Sequence, residues 1–272
     1  MSHLFQLNLS MNPFLFGSLL LLTLWCITLI LLRITNKRDQ IPELWWASIS
    51  CALLGVTEPL FVPEYWDPPS ILKIGRWDLE SFIFCFAVGG LAAVLSELPK
   101  VKSFFVSLYF ITFEQIIRSV FTVISKLTRG KLHAKTLDHP PYSQLVPVEQ
   151  IRIENMLLIT FIVGIFGATS HFGLNIIYDT SFVCIASAIM IGWRRPSLRW
   201  QILGGGISFT IIYTVVLLIT GTIYPEFYSH WNIKALSGLW FLDAPIEEYL
   251  FSFTFGIFWA PLYEAWKEVR EK

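Results

Sequence analysis

Long apolar runs alternate along this chain with short polar or basic stretches, and their spacing sets the expected architecture. Apolar segments at 13–32, 44–62, 78–98, 155–172, 174–193, 201–223 and 242–264 each approach the roughly 20 residues with which an α-helix crosses a bilayer. Segment 103–126 has another rhythm. Ser107, Glu114, Gln115, Arg118, Thr122 and Ser125 recur at helical spacing opposite a face of Phe, Leu and Ile, which predicts a helix lying in the membrane interface. The polar, Pro-containing stretch 127–154 reads as a linker. The expected fold is therefore an all-α integral membrane protein with about seven transmembrane helices and one interfacial helix.

The polar gaps suggest an orientation. Lys and Arg collect in "RITNKRD", "KVK", "KLTRGKLHAK", "RRPSLR" and "KEVREK", and basic residues in short loops accumulate on the cytoplasmic side. Seven crossings with the N-terminus outside and the C-terminus cytoplasmic put all five stretches inside. The first apolar run has no Lys or Arg before Arg33, so it is expected to be a spanning helix and not a cleaved signal. The expected location is the inner membrane of a prokaryotic cell.

The apolar pattern also repeats. Setting "DLESFIFCFAVGGLAAVLSE" (78–97) against "PIEEYLFSFTFGIFWAPLYE" (245–264) without a gap pairs Glu80 with Glu247, Phe84 with Phe251, Phe86 with Phe253 and Gly89 with Gly256. Upstream, "VPEYW" (62–66) parallels "YPEFY" (224–228). The expected organisation is a first three-helix repeat in 1–100, an interfacial helix, linker and connecting span in 101–173, and a second three-helix repeat in 174–272. An odd number of spans between the copies makes the repeats parallel, so the glutamate-bearing thresholds share the outer side.

Composition narrows the function classes. Of the 272 residues, 54% are hydrophobic and 16% aromatic, and 20 basic residues balance 20 acidic ones. No basic face stands out that would bind nucleic acid; the expected partners are membrane lipid and lipid-phase molecules. Cys26, Cys51, Cys85 and Cys184 are scattered singly through apolar segments, which points to packing and away from metal ligation. The "GGG" at 204–206 lacks the spacing of a dinucleotide fingerprint, and P-loop, zincin and nucleophile-elbow motifs are missing, as is an aspartate-rich motif for magnesium and diphosphate.

Candidate chemistry lies where acids meet lipid. Asp243 is placed to cap the helix after it and Pro245 suits its first turn, so Glu247 and Glu248 lie near a helix N-terminus. The helix dipole there favours a carboxylate by about 0.3 to 2 kcal/mol. Burial and a neighbouring carboxylate oppose it and favour a neutral acid. Adjacent helical positions differ by roughly 100°, so Glu247 shares a face with Phe251, Thr254 and Phe258, and Glu248 one with Ser252, Phe255 and Trp259. Either glutamate alone is equally well a residue reaching for the interface; the matching Glu80 favours a site. Glu58, His171, Asn175 and Asp179 fall on the same side under this topology, and together they suggest one polar pocket in the outer leaflet.

The stretch "APIEEYLFSFTF" resembles the hydrophobic-Pro-hydrophobic-Glu-Glu-hydrophobic motif of the membrane-embedded lycopene cyclase domain family, here in a tandem arrangement. The family includes paired bacterial subunits and the cyclase half of a fungal bifunctional enzyme. The first copy, "WDLESFIF", departs from the motif: Asp78 stands for the proline and Ser81 for the second acid, so only Glu80 carries over. The resemblance implies acid-catalysed, redox-neutral cyclisation of lycopene end groups to β-ionone-type rings. It implies Glu247 as leading acid, Glu248 or Glu80 as base or relay, and Trp240, Tyr249, Phe251 and Phe84 as walls of a substrate site that also includes Glu58 and Asp179. No metal and no tightly bound cofactor are expected; a helper role for a reduced flavin or nicotinamide stays open. Other carotenoid-pathway enzymes are candidate partners. Hydration of the end group, cyclisation of a longer carotenoid, and transport of a small solute through a three-plus-one-plus-three repeat are the alternatives.

Overall fold

The computed structural model describes residues 5–7, 12–74, 77–95 and 175–266. The expected interfacial helix 103–126, linker 127–154, span 155–172 and His171 lie outside the described residues.

The described part is mostly helical, in two sets of three long helices. α1 (Pro13–Ile34) begins at Asn12, whose side chain accepts the Leu15 N–H at 2.7 Å, and a Pro at the first turn suits a position whose N–H has no intrahelical partner. α2 (Ile41–Ala52) loosens into a 3-10 turn over Leu53–Thr57 and continues as α3 (Glu58–Phe61), which carries Pro59 in its first turn. α4 (Leu79–Val94) closes the first set. The second set consists of α5 (Ile176–Arg194), α6 (Arg199–Ile223) and α7 (Ile246–Trp259), followed by the short α8 (Leu262–Trp266). Among the described residues, Pro13–Ile34, Arg38–Phe61, Ile176–Arg194 and Pro196–Ile223 are long and apolar enough to cross a membrane. They match four of the expected spans.

α4 and α7 are shorter, and each sits at the centre of its set: α4 packs on α1 and α2, α7 on α5 and α6. Close approach there depends on glycine. A Cβ at Gly89 of α4 would lie 2.6 Å from the Ala47 carbonyl oxygen of α2, and one at Gly256 of α7 would lie 2.6 Å from the Gly205 carbonyl oxygen of α6. Both helices are also entered from short antiparallel strands. β2 (Leu72–Ile74) pairs with β3 (Trp77–Asp78) just before α4, with β1 (Phe5–Leu7) on its other edge. β4 (Trp240–Phe241) pairs with β5 (Ala244–Pro245) just before α7.

This second hairpin corrects two expectations. Asp243 does not cap α7; it lies in the two-residue turn with Leu242, at φ 62° and 46° respectively, the left-handed pair that joins tightly paired strands. The cap position is Pro245, without a side-chain hydrogen bond. The helix consequently starts at Ile246, later than the apolar run beginning at 242 suggests.

The loops between α3 and α4 and between α6 and α7 meet at one end of the molecule. The Asp67 N–H donates to the His230 carbonyl at 2.8 Å and the Asn232 N–H to the Tyr65 carbonyl at 2.9 Å. Asn175 caps α5 by accepting the Ile177 N–H, and its Nδ2 donates to the Glu64 carbonyl at 3.0 Å. The starts of α4, α5 and α7 therefore share one end, with the acids Glu58, Glu80, Asp179, Glu247 and Glu248 all buried. At the other end of α5, Arg195 donates to the Glu264 carbonyl at 2.6 Å, next to the basic turn that leads into α6.

Candidate active site

Glu248, in the first turn of α7, is 3% exposed and is held from three directions. Its Oε1 accepts the Trp231 indole N–H at 2.7 Å and the Tyr65 hydroxyl, and its Oε2 accepts the Tyr213 hydroxyl at 2.6 Å. Tyr65 comes from the loop after α3, Trp231 from the loop after α6, and Tyr213 from the middle of α6. Burial, and then the facing Glu248 carboxyl, holds the Tyr65 phenol well above its ordinary range, so it remains a neutral O–H donor at neutral pH. Among the described residues, no Lys, Arg or His is a hydrogen-bond partner of Glu248.

Glu247, adjacent in sequence, points elsewhere, as the 100° step of a helix requires. Its Oε1 accepts the Ser237 N–H at 2.8 Å and the Tyr178 hydroxyl at 2.5 Å, while its buried Oε2 has no hydrogen-bond partner among the described residues. Glu80 behaves alike, accepting the Ile71 N–H and the Ser70 hydroxyl, the latter at 3.0 Å. Each of these two glutamates ties the start of its helix to the backbone of the loop in front of it.

Glu58, in the first turn of α3, is 5% exposed. Its Oε2 accepts the Asp78 N–H at 2.8 Å and its Oε1 accepts the Ser81 hydroxyl. Burial raises the Asp78 carboxyl above its ordinary value, against the pull of Lys73, whose ammonium lies 4.0 Å away.

A cavity of about 340 Å³ lies between the two helix sets, within the roughly 300–1,000 Å³ range of small-molecule sites. Glu248, Tyr65, Tyr213, Glu58 and Ser81 reach it, and they supply its polar groups together with Thr57 and Thr180. Its apolar wall includes Phe84 from α4 and Phe251, Phe255, Phe258 and Trp259 from α7. The α7 rings form a ladder: Phe251 stacks on Phe255 at 5.6 Å and Phe255 on Trp259 at 5.3 Å. Cys51, Cys85 and Cys184 line the same space as free thiols. Leu54 and Leu60, also lining it, are 43% and 49% exposed, which gives the cavity an apolar mouth.

Of the residues singled out from sequence, Glu248, Glu58, Phe84 and Phe251 line the cavity, and Glu247, Glu80, Asp179, Tyr249 and Trp240 do not. Tyr249 instead donates to the Phe241 carbonyl at 2.7 Å. Trp240 is 45% exposed in the hairpin. Asp179 is buried in α5 with one oxygen lacking a partner among the described residues. Sequence reasoning missed Tyr65, Tyr213, Trp231 and Ser81. Tyr65 did sit inside the repeated "VPEYW", whereas Tyr213 is a lone hydroxyl in an apolar run with nothing local to mark it.

Residues 175–266, which hold α5 to α8 and the double-glutamate stretch, match the family model described as lycopene cyclase. This segment is similar to a lycopene cyclase domain. No curated protein and no solved structure matches the chain. The matched segment contributes Glu248, Tyr213, Trp231 and the ring ladder. The remaining walls, with Tyr65, Glu58, Ser81 and Phe84, come from residues before the matched segment.

Proposed function

We propose that the protein catalyses the redox-neutral cyclisation of an end group of lycopene, or of a similar linear carotenoid, with Glu248 as the proton donor. The observation that carries this assignment is that Glu248 is the one member of the double-glutamate motif lining the aromatic cavity. An uncompensated buried carboxylate is costly, and no cation among the described residues hydrogen-bonds to Glu248, so the resting site is best served by a neutral acid.

The reaction needs little else. The proton adds to the terminal alkene, the electron pair of an internal alkene closes the ring onto the resulting cation, and loss of an adjacent C–H proton restores a double bond. As Glu248 gives up its proton, Trp231, Tyr65 and Tyr213 hold the carboxylate left behind with charge-assisted hydrogen bonds. Phe84, Phe251 and Phe255 offer ring faces that stabilise the cation. Glu247 and Glu80 serve as braces that fix the loops to the starts of α7 and α4.

The same reading includes a tandem arrangement. It is supported by equivalent roles at equivalent positions: Glu80 and Glu247 each accept a loop N–H, and Gly89 and Gly256 each admit a neighbouring backbone. The acids then lie toward the outer leaflet, the basic turns toward the cytoplasm, and substrate enters from the bilayer through the apolar mouth. The proton transfers themselves call for no tightly bound cofactor, a non-redox helper role for a reduced flavin or nicotinamide stays open, and neighbouring enzymes of the carotenoid pathway would deliver the substrate or receive the product.

The test is expression of the full chain in a lycopene-accumulating host, with pigments separated by chromatography and weighed by mass spectrometry. A cyclic product of unchanged mass is expected from the wild type, and unaltered lycopene from Glu248→Gln. A product heavier by one water would assign hydration instead, and full activity in Glu248→Gln would remove that residue as the acid.

A further inference from the structure

The proposed acid leaves the second half of the chemistry, removal of a proton, without an assigned group. The motif of α7 has two acids, Glu247 and Glu248. The corresponding stretch of α4 has one, because Ser81 stands where Glu248 stands in the gapless pairing of the two stretches. In the folded chain that serine is not alone. Its hydroxyl donates to Glu58 Oε1, and the N–H of Asp78, three residues earlier, donates to Glu58 Oε2. Both oxygens of a 5% exposed carboxyl are thus oriented by α4 and the residue leading into it, although Glu58 itself belongs to α3. Glu58, Ser81 and Glu248 line the same cavity.

We infer that Glu58 is the catalytic base, supplying from α3 the second carboxyl that the first copy of the motif has lost from α4. The inference rests on the cyclase reading above and adds to it the division of labour between the two walls. Glu248 lines the cavity from the helix set that also supplies the Tyr213, Phe251 and Phe255 rings, and Glu58 lines it from the opposing set, which supplies Phe84. The Asp78 N–H can only donate, so it and the Ser81 hydroxyl orient the Glu58 oxygens as acceptors toward which a proton can pass.

The step balances. The O–H bond of Glu248 breaks as a C–H bond forms at the terminal alkene. The internal alkene pair becomes the ring C–C bond, a neighbouring C–H bond breaks, its electron pair becomes the ring double bond, and the proton passes to the Glu58 carboxylate. Exchange with water then deprotonates Glu58 and reprotonates Glu248. Carbon is neither oxidised nor reduced.

Heavy water separates the two roles. Membranes carrying the full chain are incubated with lycopene in D2O, and both the cyclic product and the recovered lycopene are analysed for deuterium. Glu248→Gln is expected to show neither cyclisation nor exchange. Glu58→Gln is expected to lose cyclisation by about a hundredfold or more, yet still to label the recovered lycopene, because reversible protonation by Glu248 survives when proton removal fails. Near wild-type cyclisation in Glu58→Gln overturns the assignment, as does exchange that survives in Glu248→Gln. If Glu58→Gln is silent in both readouts, the double variant Glu58→Ala, Ser81→Glu decides by returning a carboxyl to α4: restored cyclisation supports the assignment and continued silence overturns it. A wild-type chain that neither cyclises nor labels lycopene removes the cyclase reading itself, and this inference with it.

Discussion

At the scale of single residues, two neighbouring glutamates do different work because a helix turns between them. Glu247 binds the Ser237 N–H and Tyr178 hydroxyl, whereas Glu248 gathers three donors inside the cavity. An amide oxygen still accepts both of Glu247's hydrogen bonds, so Glu247→Gln is expected to cyclise lycopene near the wild-type rate while Glu248→Gln is inactive; parallel initial-rate assays in membranes make the comparison. Removing one donor from a carboxylate costs about 1.5–3 kcal/mol. Tyr213→Phe is accordingly expected to slow cyclisation by roughly ten- to a hundredfold at unchanged expression, since the carboxylate formed on proton transfer loses a partner. An unchanged rate would mean that Tyr213 supports packing alone. Little of this contrast is legible in "IEEY": the 100° rule separates the two faces, but it does not say which face meets a cavity.

At the scale of elements, the two hairpins and the glycine contacts set where the acids stand. Leu242 holds φ 46° in the β4–β5 turn, a region that costs a branched side chain more than it costs Gly. Leu242→Gly is expected to raise the thermal midpoint of the detergent-solubilised protein, by an amount equivalent to about 1 kcal/mol. Gly256→Ala should do the reverse. Its Cβ would meet the Gly205 carbonyl oxygen at 2.6 Å, and forcing α6 from α7 is expected to destabilise by about 1–3 kcal/mol, with cyclisation falling because Tyr213 on α6 moves away from Glu248 on α7. Helix α1, the α2–α3 run, α5 and α6 follow directly from the length of their apolar runs. The hairpins do not, because strands of two or three residues carry no readable periodicity and Asp243 serves a turn as readily as a cap.

At the scale of the whole molecule, the site belongs to neither helix set alone. Glu248, Tyr213 and the Phe251–Phe255–Trp259 ladder come from the second, Glu58, Ser81, Tyr65 and Phe84 from the first, and the two end loops bind each other across the top. Cys184 reaches the cavity from α5 and is buried. Filling the space through Cys184→Phe is expected to abolish cyclisation by excluding the end group, with a stability change no larger than about 1–3 kcal/mol; pigment analysis and thermal unfolding read the two effects separately. Activity that survives this substitution would place the substrate elsewhere.

Hydropathy, charge spacing and one short motif by themselves determined that this chain is a helical membrane protein with acids at the threshold of an aromatic helix and a cyclase-like signature there. Those properties are local, written in neighbouring side chains and their period along a helix. The cavity, the choice of Glu248 over Glu247 as its occupant, and the pairing of Glu58 with Ser81 were decided only by the tertiary structure. Glu248 meets Tyr65 across 183 positions of sequence and Tyr213 across 35, and no local pattern encodes which distant hydroxyl a buried carboxyl will find once the helices have packed.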